Sequence, residues 1–434
     1  MNNTKLNNFN LVLTIGTNPL PCLVTSKYLL KQNYNISKIY LIYSEHNNNQ
    51  QGTKDYADRL KELIERDFSK IAIELISLSN VGSATQIEKD LGKVQWNKNS
   101  AYHLNYTGGT KTMSVHVHRF FKENFTNVKY SYLDTRSYLL KYDDGTYEPF
   151  DGDLRNKVFI NIQDLIKLHG YDITNSEKVV FQDVLDEFNE GIKNNKIKEF
   201  FQWYQNTRYI KSSCDLSKKN KFLETINKEF PLSIKSIVKN FGNNIPDIAK
   251  NILDTFPKDR QIHIVKNGIY ELWIPEDKMG NDDFKKRIKH TWEYLDGKWL
   301  EHYIYDKLKS KLEQKDLDEG ESFGWSLLSI NEAGKNFELD FYIIKGYQLI
   351  GISITTDDQT YICKSKGFEV IHRTRQIGGD ESCAILITAL NENQVRDLAD
   401  DLRVNTGTNE ERFKVFGIND WKDIDSKILN YINL

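Results

Sequence analysis

Asn105-Tyr106-Thr107-Gly108-Gly109-Thr110-Lys111-Thr112 follows the short apolar run Ala101 to Leu104 and leads into the amphipathic run Met113 to Phe121. That order predicts strand, glycine turn, helix. Adjacent glycines bring the backbone close to a ligand, and the helix N-terminus behind them adds positive partial charge. Hydroxyls of Thr107, Thr110 and Thr112 and the ammonium of Lys111 surround the turn, so it suits phosphodiester oxygens or a nucleotide. The GxxxxGK[ST] and GxGxxG spacings are both absent. A tight turn with no ligand is the other reading of this stretch taken alone.

The residues around the turn favour a ligand. Asn10 to Ile15, Lys38 to Tyr43, Ile71 to Leu78, Tyr102 to Leu104 and Val128 to Leu133 read as strands. Cys22 to Gln32, Tyr56 to Phe68, Ala84 to Leu91 and Met113 to Phe121 read as the helices between them. Such alternation predicts a mostly parallel sheet with helices on both faces, which binds ligands at the carboxyl ends of its strands. Gly16-Thr17-Asn18-Pro19, Ser44-Glu45, the glycine turn and Asp134-Thr135 all fall at those ends.

With 434 residues, 39% hydrophobic and 28% charged, the chain is expected to hold two or three globular domains. A net charge of −2 carries no global nucleic-acid signature, so any such contact is local. No apolar run is long enough for a membrane span. Cys22, Cys214, Cys363 and Cys383 lie far apart and read as reduced thiols, and with no signal segment visible a cytoplasmic location is expected. Three regions are expected: 1–170 as above, 171–289 helical and charged, and 290–434 as a second α/β unit. Pro231, Pro246 and Pro257 punctuate the middle region, and Asn267-Gly268 reads as a hairpin turn. In the third region a helix carrying Glu301 precedes strands Ser326–Ile330, Phe337–Ile344 and Leu349–Ile354. A helix over about Cys363–Gln376 and a strand, Ala384–Leu390, follow. Glu338 and Asp340 share one face of their strand. Carboxylates converging with Glu301 suit Mg²⁺ or Mn²⁺. A lone acid is more commonly a solvated surface charge.

The glycine turn, Gly16-Thr17-Asn18 and Asp134-Thr135 resemble the CARF (CRISPR-associated Rossmann fold) sensor domain. Gly297-Lys298-Trp299-Leu300-Glu301 with Asn336-Phe337-Glu338-Leu339-Asp340 resembles the restriction-endonuclease-like PD-(D/E)XK domain. In this order the two resemble the CARF–nuclease effectors of type III CRISPR systems. The resemblance implies an α/β chain with a Rossmann-like CARF domain (1–170), a helical middle segment (171–289) and a restriction-endonuclease-like α/β domain (290–434). It implies a homodimer whose sensors clasp one cyclic oligoadenylate, cyclic tetra-adenylate for choice. Binding would activate metal-dependent cleavage of single-stranded RNA or DNA. Gly16, Thr17, Asn18, Thr107, Gly108, Gly109, Thr110 and Lys111 would hold the ligand; Glu301 and Asp340 would hold Mn²⁺ or Mg²⁺.

The pattern departs at its second half. Ser353 stands where a second acid is expected and Thr355 where the lysine is expected. The expected replacements are Lys364 or Lys366 for the lysine and Asp357 or Asp358 for the acid; Lys364 is taken as catalytic. Without replacement, the alternative is a sensor whose C-terminal domain binds nucleic acid or a partner without cutting. The other basic cluster, His372 with Arg373 and Arg375, reads as a solvated helix face, and His116 and His118 as structural.

Overall fold

Apolar runs of the first region become five parallel strands, β1 (Phe9–Thr14), β2 (Ile36–Ser44), β3 (Ala72–Leu78), β4 (Ala101–Asn105) and β5 (Val128–Asp134). They lie in the order β3-β2-β1-β4-β5, with β6 (Leu139–Tyr142) and β7 (Tyr147–Glu148) added antiparallel at one edge. This is a computed structural model; it describes residues 8–32, 34–47, 51–174, 178–213, 218–227, 241–276 and 279–434. Cys214 and Pro231 lie outside the described residues.

Strands alternate their side chains between two cores, as the pleat requires. Leu11, Leu13, Ile39 and Leu41 meet α1 (Leu20–Lys31) and α2 (Lys54–Asp67) on one face. Val12, Ile42 and Leu104 meet α3 (Ala84–Gly92) and α4 (Lys111–Asn124) on the other. With both faces covered, β1 is buried along its whole length, Asn10 and Thr14 included. β1 pairs with β2 on one side and β4 on the other, so the chain reverses direction across the sheet between β1 and β4. A crevice opens at the carboxyl ends of these two strands.

After α5 (Ile162–Leu168), Tyr171–Thr174 forms β8 and joins a second sheet instead of the helical middle. Four residues carry too short a pattern to predict that pairing. The middle holds α6 (Gln182–Lys193), α7 (Ile197–Ser213), α8 (Lys219–Asn227) and α9 (Asp247–Thr255). It also holds the hairpin β9 (His263–Lys266) and β10 (Ile269–Leu272), whose turn residues Asn267 and Gly268 have φ of 50° and 77°. That left-handed pair is what Asn-Gly supplies.

A kinked helical stretch from Asn281 leads into α10 (Trp299–Glu313). β11 (Phe323–Asn331), β12 (Asn336–Lys345) and β13 (Gln348–Ile354) form a meander. α11 (Thr360–Gly378) then crosses to β14 (Cys383–Ile387), and α12 (Glu392–Thr406) crosses to β15 (Phe413–Phe416), both strands parallel to β13. α13 (Ile424–Ile432) ends the fold. β15 and the last helices extend the unit beyond the strand expected at Ala384–Leu390.

One apolar core runs from the first sheet into the second. Leu165 and Ile166 of α5 share it with Leu349 of β13 and with Val370 and Ile371 of α11. At its edge Arg412 reaches Tyr138 and the Glu381 carbonyl, and Gln348 donates to Tyr138 at 2.7 Å. The opposite face of the second sheet packs on the middle helices and α10. Cys22, Cys363 and Cys383 are free and buried. Among the described residues no helix is long and apolar enough to cross a membrane.

Candidate functional site

The two glycine loops at the β1/β4 crevice touch. A Cβ on Gly16 would lie 2.8 Å from the Gly109 amide nitrogen, and one on Gly108 would lie 2.2 Å from the Thr14 carbonyl oxygen. Gly109 has φ +83°. Only glycine fits this approach. Thr14 donates to the Gly108 carbonyl at 2.7 Å, clamping β1 to the turn.

The hydroxyl of Thr107 donates to Asn105 at 2.8 Å and accepts from the Leu133 amide at 2.7 Å, so it braces the turn. Thr110 caps α4, accepting from the Met113 amide at 3.2 Å. Thr17, Thr110 and Lys111 are exposed at the crevice mouth. Asn18 faces elsewhere: its side-chain oxygen accepts from the Leu20 amide and lies 3.3 Å from His169, and its side-chain nitrogen sits against Gly379. The Gly16–Pro19 loop therefore touches the C-terminal domain directly. Beside it, Glu381 is 1% exposed, and neither of its carboxylate oxygens accepts a hydrogen bond from another residue. Burial pushes this carboxyl up to about 7.

The second cluster forms where α10 meets the end of the β12–β13 pair. Gly297, with extended backbone at φ 176°, breaks the helical stretch before α10 within Tyr294–Lys298. The kink places Lys298 and Glu301 at the start of α10. Lys298 lies 3.0 Å from Glu301 and 3.5 Å from Glu338. Asp340 accepts from the Ser353 hydroxyl at 3.0 Å and from the Ile354 amide at 2.7 Å. Burial pushes Glu301 up to about 8; the Asp340 charge adds to this and Lys298 opposes it. Burial also raises Asp340, while the Ile354 amide and Lys366 pull it down. Two neighbouring carboxyls that resist ionisation together hold a cation more readily than separate surface acids do.

Of the expected replacements, Lys364 is turned away: its ammonium pairs with Asp401 of α12 at 2.6 Å. Lys366, two residues on, is the α11 lysine whose charge acts on Asp340. Asp358 is exposed and accepts from Gln205 at 3.4 Å, and Asp357 is buried with its amide donating to Thr355 at 3.2 Å. The charges that act on Asp340 include those of Lys366, Glu338 and Lys298. Sequence reading passed over Lys298, although Lys-x-x-Glu at the start of a helix puts both on one face. Among the described residues no group of three or more His, Cys, Asp or Glu side chains is placed to hold a metal. Glu301 and Asp340 remain as a pair of oxygen donors. Mg²⁺ keeps several waters and needs only one or two carboxylates beside substrate phosphate, so the pair fits it.

Residues 11–164 match the protein family described as the Card1 CARF domain. No curated protein sequence matches the chain. Among solved structures, Can2 from Sulfobacillus thermosulfidooxidans, determined in complex with cyclic tetra-adenylate, is 14% identical with a TM-score of 0.59. The match covers 98% of this chain and 100% of that one. Protein VC1899 from Vibrio cholerae is 12% identical with a TM-score of 0.56, covering 98% of each chain. At this identity the likeness is one of fold, and it extends through all three regions. The chain is thus a mixed α/β protein that opens with a Rossmann-like CARF domain and continues through helices into a further sheet.

Proposed function

We propose that this chain is a cyclic-oligoadenylate-gated nuclease of type III CRISPR defence, a homodimer that cleaves single-stranded RNA or DNA with Mn²⁺ or Mg²⁺. The observation that carries the reading is the pairing of Glu301 with Asp340, one carboxyl buried and the other half-buried, held at one end of a sheet between Lys298 and Lys366. The ligand is cyclic tetra-adenylate, the compound bound in the Can2 structure. It seats on the backbone amides of the Gly16 and Gly108–Gly109 loops, with Lys111 meeting phosphate. A ring of adenylates outsizes one crevice, and two crevices facing across a two-fold axis enclose it.

Glu301 and Asp340 would hold the metal, which supplies Lewis acidity and an activated water at the scissile phosphate. Ser353 and the Ile354 amide fix one Asp340 oxygen, so that carboxylate keeps its orientation. Lys366 and Lys298 offset the charge that builds on the phosphate. Asn18, seated against Gly379, passes a shift of the ligand loop to α11 and hence to Lys366. The test is a gel assay on single-stranded RNA and DNA with Mn²⁺, with and without cyclic tetra-adenylate. Cleavage that needs the ring and vanishes in Asp340→Ala is expected. No cleavage by the wild type refutes the nuclease. It would favour the second reading, a sensor that binds nucleic acid or a partner without cutting, which Ser353 and Thr355 support by standing in place of an acid and a lysine.

A further inference from the structure

A cavity of about 280 Å³ lies between α7 of the middle segment and the carboxyl ends of β13, β14 and β15. One wall is a stripe of α7: Lys198, Phe201, Gln202 and Gln205 recur at helical spacing and face it together. The opposite wall carries Asp358, in the loop after β13, and Asn391, the N-cap of α12. Thr356 in the same loop also lines it, and lies two residues past Ile354, whose amide holds Asp340. Asp358 is four residues from Ile354, about 14 Å of chain at full extension. The cavity wall at Asp358 therefore lies no farther than that from the amide that holds Asp340, close enough for a strand whose phosphate sits at the carboxylate pair to place a neighbouring base in it.

Its size and lining define the occupant. Ligand pockets begin near ~300 Å³, so this one takes a single nucleotide unit and not a cyclic oligonucleotide. Phe201 is half-buried, braced by Trp299 and Trp421 with ring centroids 6.2 and 6.0 Å away. A braced ring of this kind is a platform on which a base stacks. Gln205 donates to one oxygen of Asp358 at 3.4 Å, which orients that carboxylate and leaves its other oxygen to accept. Carboxylates accept from exocyclic amines such as cytosine N4. Uracil and thymine carry no such amine. Exposed Lys198 on the same stripe suits the adjoining phosphate.

We infer that this cavity is a base-reading subsite of the nuclease, built half from the middle segment, and that Asp358 makes it select a base with an exocyclic amine. The inference rests on the proposed nuclease reading for its role, but its binding can be measured without cleavage. Full-length protein in EDTA is titrated into fluorescent A, C and U homopolymers of equal length, followed by anisotropy. A and C oligomers are expected to bind about 5- to 10-fold more tightly than U. Asp358→Ala, which removes the acceptor, should bring that ratio below about 2-fold with U binding unchanged, while Lys198→Ala weakens all three alike and keeps the ratio. Equal affinities in the wild type, or a ratio that survives Asp358→Ala, overturn the subsite. So does a preference seen only for free AMP and CMP, which would make the cavity a mononucleotide site. Cleavage that is lost in Asp340→Ala yet shows no base ratio removes the subsite and leaves the nuclease. A base ratio without cleavage removes the nuclease and leaves the subsite.

Discussion

The Ser353 hydroxyl donates to the Asp340 carboxylate at 3.0 Å, from the position at which the resembled motif carries an acid. The Ile354 amide donates to the same oxygen at 2.7 Å. A hydroxyl here orients Asp340 without adding charge, so the pocket holds one acid fewer and depends more on how Asp340 is held. Partners behind a metal ligand are worth about 10- to 100-fold in metal affinity. Ser353→Ala should therefore weaken Mn²⁺ binding about tenfold, read as a reduced Mn²⁺-induced rise in melting temperature. An unchanged Mn²⁺ titration would mean that the serine does not support the site.

Lys364 and Lys366 separate cleanly. Lys364 is paired to Asp401 at 2.6 Å, whereas Lys366 acts on Asp340. Lys366→Ala should lower kcat by about 100-fold with little effect on melting, and Lys364→Ala should leave kcat within about twofold. The reverse order in single-turnover cleavage would return the catalytic role to Lys364.

Glu301 sets a pH dependence of stability. Its carboxyl is held up to about 8 in the folded protein against 4.5 ordinarily, chiefly by burial. Between those values the folded state binds more protons than the unfolded one, so stability falls as pH rises from about 4.5 to about 8. Glu301→Gln removes this slope, and its melting temperature at pH 9 should exceed the wild type's by about 2–4 °C. At pH 4 the two should melt alike. Mn²⁺ should raise the wild type's melting temperature at pH 9 and leave Glu301→Gln unmoved, a check independent of cleavage.

The crevice has no room for a side chain at Gly108, where a Cβ would meet the Thr14 carbonyl at 2.2 Å. Gly108→Ala should cost about 1–3 kcal/mol in stability and abolish cyclic tetra-adenylate uptake by calorimetry. Lys111→Ala, on an exposed residue, should keep stability and weaken uptake alone. Wild-type affinity in Gly108→Ala would place the ligand elsewhere.

Gly379, at φ +69°, would bring a Cβ within 2.0 Å of the Asn18 side-chain nitrogen and 2.7 Å of Glu381. Gly379→Ala should displace Asn18 and uncouple the domains. Ring binding is expected to persist while its stimulation of cleavage falls about tenfold or more. Equal stimulation in the variant would show that the signal crosses by another route.

Much of the first region was legible because a parallel sheet covered on both faces needs unbroken apolar strands, and Phe9–Thr14 is buried at all six positions. The order of strands and turns placed Gly16 and Gly108–Gly109 at the same ends of the sheet, while their contact came from the tertiary structure. Glu301, Glu338 and Asp340 were legible as a group for the same reason: strand period and helix onset bring them to one end. β8 was not, because it is short and gains its place by pairing with β11, more than a hundred positions away, and α13 was not, because it is short and packs partly on α10, also more than a hundred positions away. Which of Lys364 and Lys366 faces Asp340 was not legible, because two lysines two residues apart point to different sides of a helix, and it is Asp401 on a neighbouring helix that engages Lys364.

By itself the sequence determined what depends on near neighbours along the chain. That covers the strand–turn–helix with its glycines and capping threonine, the Asn-Gly hairpin, and the two acids on one strand face. Tertiary structure decided what depends on the surroundings of a side chain: that Asn18 serves the domain contact, that Lys298 and Lys366 are the cations at the carboxylates, and that α7 closes a cavity over the carboxyl ends of β13, β14 and β15. Backbone preference is set within a few residues, whereas burial and charge environment are set by whichever distant segment packs alongside.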